Sequence, residues 1–595
     1  MKLIQNKNLN CYEKFFCERI SELIHKVTID SYRIRVMNIK LILPELLHLS
    51  EGWIDGKVHN FGTVVSCQKE TISLLKEDEV FVVKTISKDY FISFLNEIIN
   101  QKDEKVLFEK NNLIKLKSII NAILHENDNY SILLLDKICH YIDNPIDEKD
   151  EFKTFQKIDK LISFLMTNLI GLGYHKSYLS IVFNRIFSDN KEFDFKDVKN
   201  EIYRMINAPE KKYRVWFKFY SSEEICKSLR SFSTFIVCEL INEVLPMKQS
   251  VIKEFKKFNI KLPYLRYIGV KIDALDYFAA LYKSKSIIAE SLDILNLGFG
   301  NNNSNITDRA YIVDAFFPER AEFQEVRYAL DGRYKYGQLL FEDIYKKIPN
   351  LLEKNNIHIE GKEKIKSAFH YLRLGNEALE IEHKIINYWF GLEYLFSNAT
   401  DNSFKRIITY LPQLQAISYV KRNVIDLYEK AMILDKLKTL KYISRDNYSC
   451  FNQQNFYKEI KEDLFDLSPL TAYRAWFLEH RSFGQGSNDK RHTYIMSHIT
   501  KLEQQIRRIY HVRNEIVHEA QYNTNNENLA SNLKYYLIFS LSNILDHFLC
   551  YNVQDDITID DFLQLQDLKF EYLKKQSFPI EEILNISNSH ELLGS

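Results

Sequence analysis

Apolar residues recur every three or four positions over most of this chain, the spacing of amphipathic helices. Ile495, Ile499, Leu502, Ile506 and Ile509 form one face of a long helix, and Ile516 returns to it further on. Residues 1–205 read as largely helical, with a strand-like piece at Val80–Lys84 and a polar break from Asn144 to Glu151. From 206 to 350 the period shortens. Tyr213–Tyr220 and Tyr264–Ile272 read as strands, Ala274–Leu295 as an amphipathic helix, and Ala310–Val313 as a strand after the polar loop Gly298–Asn305. Helix resumes from 351 to 553, with an apolar core helix at Tyr535–Leu545, and residues 554–595 read as a polar tail. The pattern predicts a mainly α, multidomain protein: a largely helical N-terminal region, a small α+β middle domain and a C-terminal helical bundle. No internal repeat is visible.

Bulk properties narrow the function classes. A chain of 595 residues is too long for one core. Lys plus Arg equals Asp plus Glu at 80 each, which excludes a non-specific polyanion binder; any nucleic-acid contact must come from a local patch. The eight cysteines include no C-x-x-C pair, so neither a disulfide framework nor a structural zinc site is expected, and no metal or cofactor is assigned. The opening residues Met1–Lys7 lack an apolar signal core and no stretch is long enough to span a bilayer. The expectation is a soluble, cytoplasmic protein with no membrane partner.

One position breaks the apolar row. The next member after Ile509 is Arg513. Burying a bare charge costs several kcal/mol, so this guanidinium needs an acid, a partner surface or an anionic ligand. Glu393, between Leu392 and Tyr394 in an apolar run, has the same need. The two oddities answer each other if their helices pack, with Glu393 then holding Arg513 in position. Five residues beyond Arg513 comes His518, about 140° around the helix and about 7.5 Å along it. That offset is poor for a contact within one helix and suits a groove between two copies of it. Asn514 and His518 are i, i+4 neighbours, so the amide can orient the imidazole. Between Asn488 and Arg513 six basic residues stand against Asp489 and Glu503. Of these, Lys490, Arg491, Arg507 and Arg508 are the candidate phosphate contacts, reached past the basic loop Arg481–Ser487.

Two segments carry a family resemblance. Ile509-Tyr510-His511-Val512-Arg513-Asn514-Glu515-Ile516-Val517-His518 matches an R-x4-H motif with asparagine after the arginine. The upstream helix Ala368–Phe396 closes on Ile386-Asn387-Tyr388-Trp389-Phe390-Gly391-Leu392-Glu393-Tyr394-Leu395-Phe396, an apolar run holding one acid. Together, over about a third of the chain, they resemble the HEPN superfamily and within it the ApeA-like group of bacterial defence proteins. The resemblance implies a metal-independent endoribonuclease on a helical bundle. It implies pairing as a homodimer or higher even oligomer, so that two motifs face one cleft. Arg513 and His518 would be catalytic, Asn514 the supporting polar residue and Glu393 the family's acid. It further implies an anti-phage effector that aborts infection by cutting host RNA, with tRNA the expected target. Residues 1–350 would then restrain the nuclease or sense a phage-derived trigger.

The residue types suit that chemistry. Histidine titrates near working pH and can take the 2′-OH proton, while the arginine fork grips phosphate oxygens and stays charged. Dependence on a 2′-OH would make the activity RNA-specific.

Blander readings stand beside this one. A lone R-x4-H arises readily by chance, with Arg513 in a structural ion pair and His518 capping a helix near Asn523. The alternative is a catalytically silent bundle serving as a dimerisation or RNA-binding module. His492, His498 and His511 are expected at the surface. Gly171–Ser177 lacks P-loop spacing, Asp197-Val198-Lys199 lacks a matching acid for a metal nuclease, and the pairs Asp555-Asp556 and Asp560-Asp561 are expected to be solvated.

Overall fold

The computed structural model describes the chain except residues 1–3, 5, 7, 26–36, 103–104, 107, 148–150, 188–192, 300–304, 327–356, 379, 435–452, 484–486, 520–525, 551–556, 575–581 and 583–595. The side chains of 482–491 and 518–519, among others, also fall outside the description. The described residues are mostly helical, with a small antiparallel sheet in the middle of the chain.

The chain divides into two compact units. One comprises residues 1–168, 189–195 and 330–595, and the other 169–188 and 196–329. The first therefore joins the N-terminal helices to the C-terminal bundle, where the sequence pattern suggested separate regions divided near 205 and 350.

Within the first unit the N-terminal helices are α1 (Cys11–Leu23), α2 (Ile39–Ile54), α3 (Phe61–Glu77) and α4 (Lys88–Ile98). A two-residue ladder of β1 (Gln101–Lys102) with β2 (Lys105–Val106) precedes α5 (Lys110–Glu126), α6 (Tyr130–Asp143) and α7 (Glu151–Gly171). The strand expected at Val80–Lys84 is not one. Side chains satisfy its backbone: Asp78 accepts from the amides of Val80 and Phe81, and Asn127 both accepts from Val82 N and donates to Val82 O. Asn127 thus does for one residue what a neighbouring strand would do for several.

The second unit contains α8 (Lys176–Ile186), α9 (Phe195–Ile206), β3 (Lys211–Tyr220), α10 (Glu223–Ser231), β4 (Phe235–Cys238), α11 (Gln249–Phe258), β5 (Leu265–Ala274), α12 (Tyr277–Phe299), β6 (Asn305–Asp314) and β7 (Glu322–Glu325). The sheet is antiparallel in the order β4-β5-β3-β6-β7. Alternation along β3 builds two cores. Val215, Phe217 and Phe219 pack with α10 and α12 residues on one face, and Trp216 packs with Phe255, Phe258 and Tyr311 on the other. Gly269 sits opposite Trp216 in the register, and a Cβ there would come within 2.7 Å of the indole ring. Part of the Gly298–Asn305 loop lies outside the described residues.

The first unit resumes with α13 (Ile359–Glu377), α14 (Ile381–Phe396), α15 (Ser403–Ile433), α16 (Gln454–Leu464), α17 (Pro469–Phe483), α18 (Ser487–Glu519), α19 (Glu527–Cys550) and α20 (Ile559–Lys574). The single helix expected over Ala368–Phe396 is a hairpin of two. Lys384 explains the break: its ammonium donates to the carbonyls of Gly375 (3.0 Å) and Asn376 (3.2 Å), capping the end of α13. Gly375 lets the hairpin close, because a Cβ there would overlap the Tyr388 ring.

The tail expected from 554 is also corrected. Ile559, Phe562, Leu563, Phe570 and Leu573 are buried along α20, and Asp560, 44% exposed, pairs with Arg406. Asp561 accepts from Thr558 at its helix N-terminus, while Asp555 and Asp556 lie outside the described residues. No helix among the described residues is long and apolar enough to cross a membrane.

Candidate functional site

The motif lies on α18. Ile495, Ile499, Leu502, Ile506 and Ile509 are all buried, as their spacing requires, and α18 packs against α14, α15 and α19 on that side. Arg513 continues the row and meets α14. Its Nη2 lies 3.6 Å from Glu393 Oε2, and its guanidinium carbon 5.4 Å from the centroid of Phe390. Glu393 is oriented from its other oxygen by the indole N–H of Trp389, which donates to Oε1 at 2.6 Å. Arg513 Nη1 donates to Asn514 Oδ1 at 3.0 Å. Arg513 is 16% exposed and Glu393 24%, so the pair sits at the rim of the bundle. Arg513 Nε is buried without a hydrogen-bond partner among the described residues. Beneath the pair, Tyr510 stacks on Phe404 at 4.0 Å and tilts against Trp389 at 5.3 Å, a stiff aromatic floor.

His518 is in the last turn of α18, but its side chain falls outside the described residues, as do those of Lys490 and Arg491. The structure thus brings together Arg513, Asn514 and Glu393.

The opposite face of α18 carries a second set of charges. Arg508, His511 and Glu515 lie on one azimuth, with His511 and Glu515 each about 160° from Arg513 at 100° per residue. Helices α2 and α3 cover this face. Arg508 Nε is 2.8 and 3.0 Å from the two oxygens of Glu45, and its Nη2 is 2.7 Å from Glu70. Burial opposes its charge, but the two carboxylates outweigh burial and raise the Arg508 pKa. With 11% exposure and two acids in its fork, Arg508 is a structural cation, correcting its assignment as a phosphate contact. Arg507 is half-buried with its guanidinium 5.8 Å from the Phe404 ring centroid, so the basic approach is not the free stripe that the charge count suggested.

Two of the histidines, His498 and His511, are corrected too. His498 is buried and lies flat on Tyr419 at 3.7 Å; burial, then Arg422 and Lys501, hold its pKa well below the usual value. His511 is only 16% exposed, with Nε2 3.2 Å from Glu515 Oε1, and His48 Nε2 of α2 is 2.6 Å from the same oxygen. Burial would raise the Glu515 pKa, but the two imidazoles, His48 first, hold it down at about 2. Sequence reasoning missed Glu45, His48, Glu70 and Trp389. The local signal for the motif side was there, since His511 and Glu515 are i, i+4, but nothing in the sequence tied them to α2.

A cavity of about 570 Å³ opens beside earlier turns of α18, lined by Lys501, Gln505 and Arg508 together with Arg19, Arg474 and Arg481. It reaches Arg508 and does not include Arg513. Arg19 there pairs with Glu22 and Asp159, and Arg474 with Glu22.

No protein-family model, curated protein or solved structure matches the chain.

Proposed function

We propose that the bundle around α18 is a metal-independent endoribonuclease of HEPN type, active as a homodimer or higher even oligomer. The observation that carries this reading is the state of Arg513. Its guanidinium is lodged at the bundle rim by a long, one-sided pairing with Glu393, with Phe390 beneath it and its Nε–H without a hydrogen-bond partner among the described residues. On the other face Arg508, by contrast, spends Nε and Nη2 on two carboxylates at hydrogen-bond distance. Glu393 therefore acts as a positioning residue, and Trp389 fixes its rotamer. In the reaction, Arg513 holds a phosphate oxygen, His518 takes the 2′-OH proton, and Asn514 orients the imidazole. Lys490 and Arg491 remain the proposed RNA contacts, with tRNA the first substrate to test.

The resemblance also implies an antiviral effector that must be silent until triggered. The grip of α2 and α3 on α18 supports restraint by the N-terminal region.

The deciding experiment is cleavage of total tRNA by the full chain in EDTA, comparing wild type with His518→Ala and Arg513→Ala. Cleavage by wild type alone, leaving 2′,3′-cyclic phosphate ends, is expected. Equal cleavage by all three proteins, or cleavage abolished by EDTA, would sink the reading. If wild type is inactive in vitro, growth arrest on expression that requires both residues supports the same conclusion.

A further inference from the structure

We propose that His48, His511 and Glu515 form a binding site for a divalent transition-metal ion of the Zn²⁺ class, joining α2 to α18. Two imidazoles and a carboxylate suit such an ion, and the ligand atoms all lie within 4.8 Å of one another. His511 and Glu515 come from successive turns of one helix face, about 40° apart in azimuth, the arrangement by which a helix offers two ligands to one ion. His48 supplies the third ligand from a different helix, closing the site from across the groove.

A tetrahedral ion with bonds of about 2.0–2.1 Å holds its ligand atoms about 3.3 Å apart. Glu515 Oε1 lies 3.2 Å from His511 Nε2 and 2.6 Å from His48 Nε2, so a small rotation of the carboxylate brings its oxygen to that spacing from both nitrogens. His511 Nε2 is a buried nitrogen with no hydrogen-bond partner among the described residues: its approach to Glu515 is close in distance but outside hydrogen-bond geometry. A neutral imidazole presenting that lone pair to a cation would satisfy it. His48 is 52% exposed, which gives the ion an entry path and leaves room for water as a further ligand.

His511 and Glu515 lie on the opposite side of α18 from Arg513, although Glu515 is only three residues from His518 in the sequence. The ion would act as a clamp between the N-terminal helices and the motif helix. The inference does not depend on the ribonuclease reading, because binding is measured directly.

The test is titration of tag-free, full-length protein with Co²⁺, read by its d–d absorption, followed by Zn²⁺ competition. Wild type should bind a single ion per chain that Zn²⁺ displaces, and Zn²⁺ should raise its Tm by several degrees. His48→Ala, at an exposed position that should not disturb folding, should weaken binding at least about ten-fold, since losing even a group that only orients a ligand costs that much. Glu515→Gln should do the same, with circular dichroism showing that both variants are folded. No binding by wild type, or binding unchanged in both variants, would overturn the proposal.

Discussion

Glu393 Oε2 and Arg513 Nη2 face each other across 3.6 Å at the rim of the α14–α18 contact, each on an otherwise apolar row of its helix. The pair is half-shielded, and Trp389 holds the carboxylate in register from behind. Glu393→Gln should therefore cost little stability, about 1 kcal/mol or less, because exposed and rim ion pairs contribute modestly. The effect on RNA cleavage should be larger, since the guanidinium loses its only carboxylate anchor among the described residues. Trp389→Phe should mimic this in weaker form by freeing the Glu393 rotamer. Cleavage rates set against thermal melts check it: if activity falls only in proportion to stability, Glu393 has no positioning role.

Arg508 should behave in the opposite way. Replacing it with Met leaves Glu45 and Glu70 facing each other where α2 and α3 meet α18, and breaking a buried pair from one side costs about 3–5 kcal/mol. Adding Glu45→Gln and Glu70→Gln to the Met variant should restore much of that loss. Urea denaturation of the single and triple variants measures both. An Arg508→Met protein as stable as wild type would make Arg508 a candidate RNA contact once more.

The grip of α2 and α3 should restrain the motif helix. His48→Ala combined with Glu70→Gln keeps the Arg508–Glu45 pair and removes two of the links to α18. Cleavage should rise severalfold, and amide exchange in the last turns of α18 should quicken. Cleavage unchanged while exchange quickens would mean that the N-terminal helices brace the fold without regulating it. Truncation is a poor substitute for this test, because the N-terminal helices belong to the same compact unit as the bundle.

Glu18 predicts a pH dependence of stability. It is fully buried in α1, with one oxygen accepting from the Ser468 hydroxyl and the Leu470 amide and the other without a hydrogen-bond partner among the described residues. Burial raises its pKa from 4.5 to about 8, against the pull of those bonds and of Lys14 and with a small push from Glu22. Its folded pKa is thus above its unfolded one. Its contribution is fully present below about pH 4.5 and is lost as pH rises through about 8, because the unfolded chain ionises first. Wild type should lose stability between those limits more steeply than Glu18→Gln. Identical slopes in urea melts across that range would show that Glu18 is ionised in the folded protein.

Much of the helical architecture was readable because it depends on local periodicity. The buried row from Ile495 to Ile509 and the strands at Tyr213 and Leu265 follow from spacing and side-chain type alone. The helix from 559 to 574 was equally periodic and was masked only by its flanking acids. The break in the α13–α14 hairpin was harder to see, since it is set by Lys384 reaching back to the carbonyls of Gly375 and Asn376.

What the sequence determined by itself was demand: a guanidinium and a carboxylate on apolar rows that each had to find a counter-charge. Tertiary structure decided which charges met. It joined Arg513 to Glu393 within the bundle, and it gave Arg508, His511 and Glu515 to helices more than four hundred residues away in the chain. The reason is physical. Helical period is set by backbone geometry within a few residues, whereas an ion pair needs only proximity, and a folded chain brings together groups with no relation in sequence.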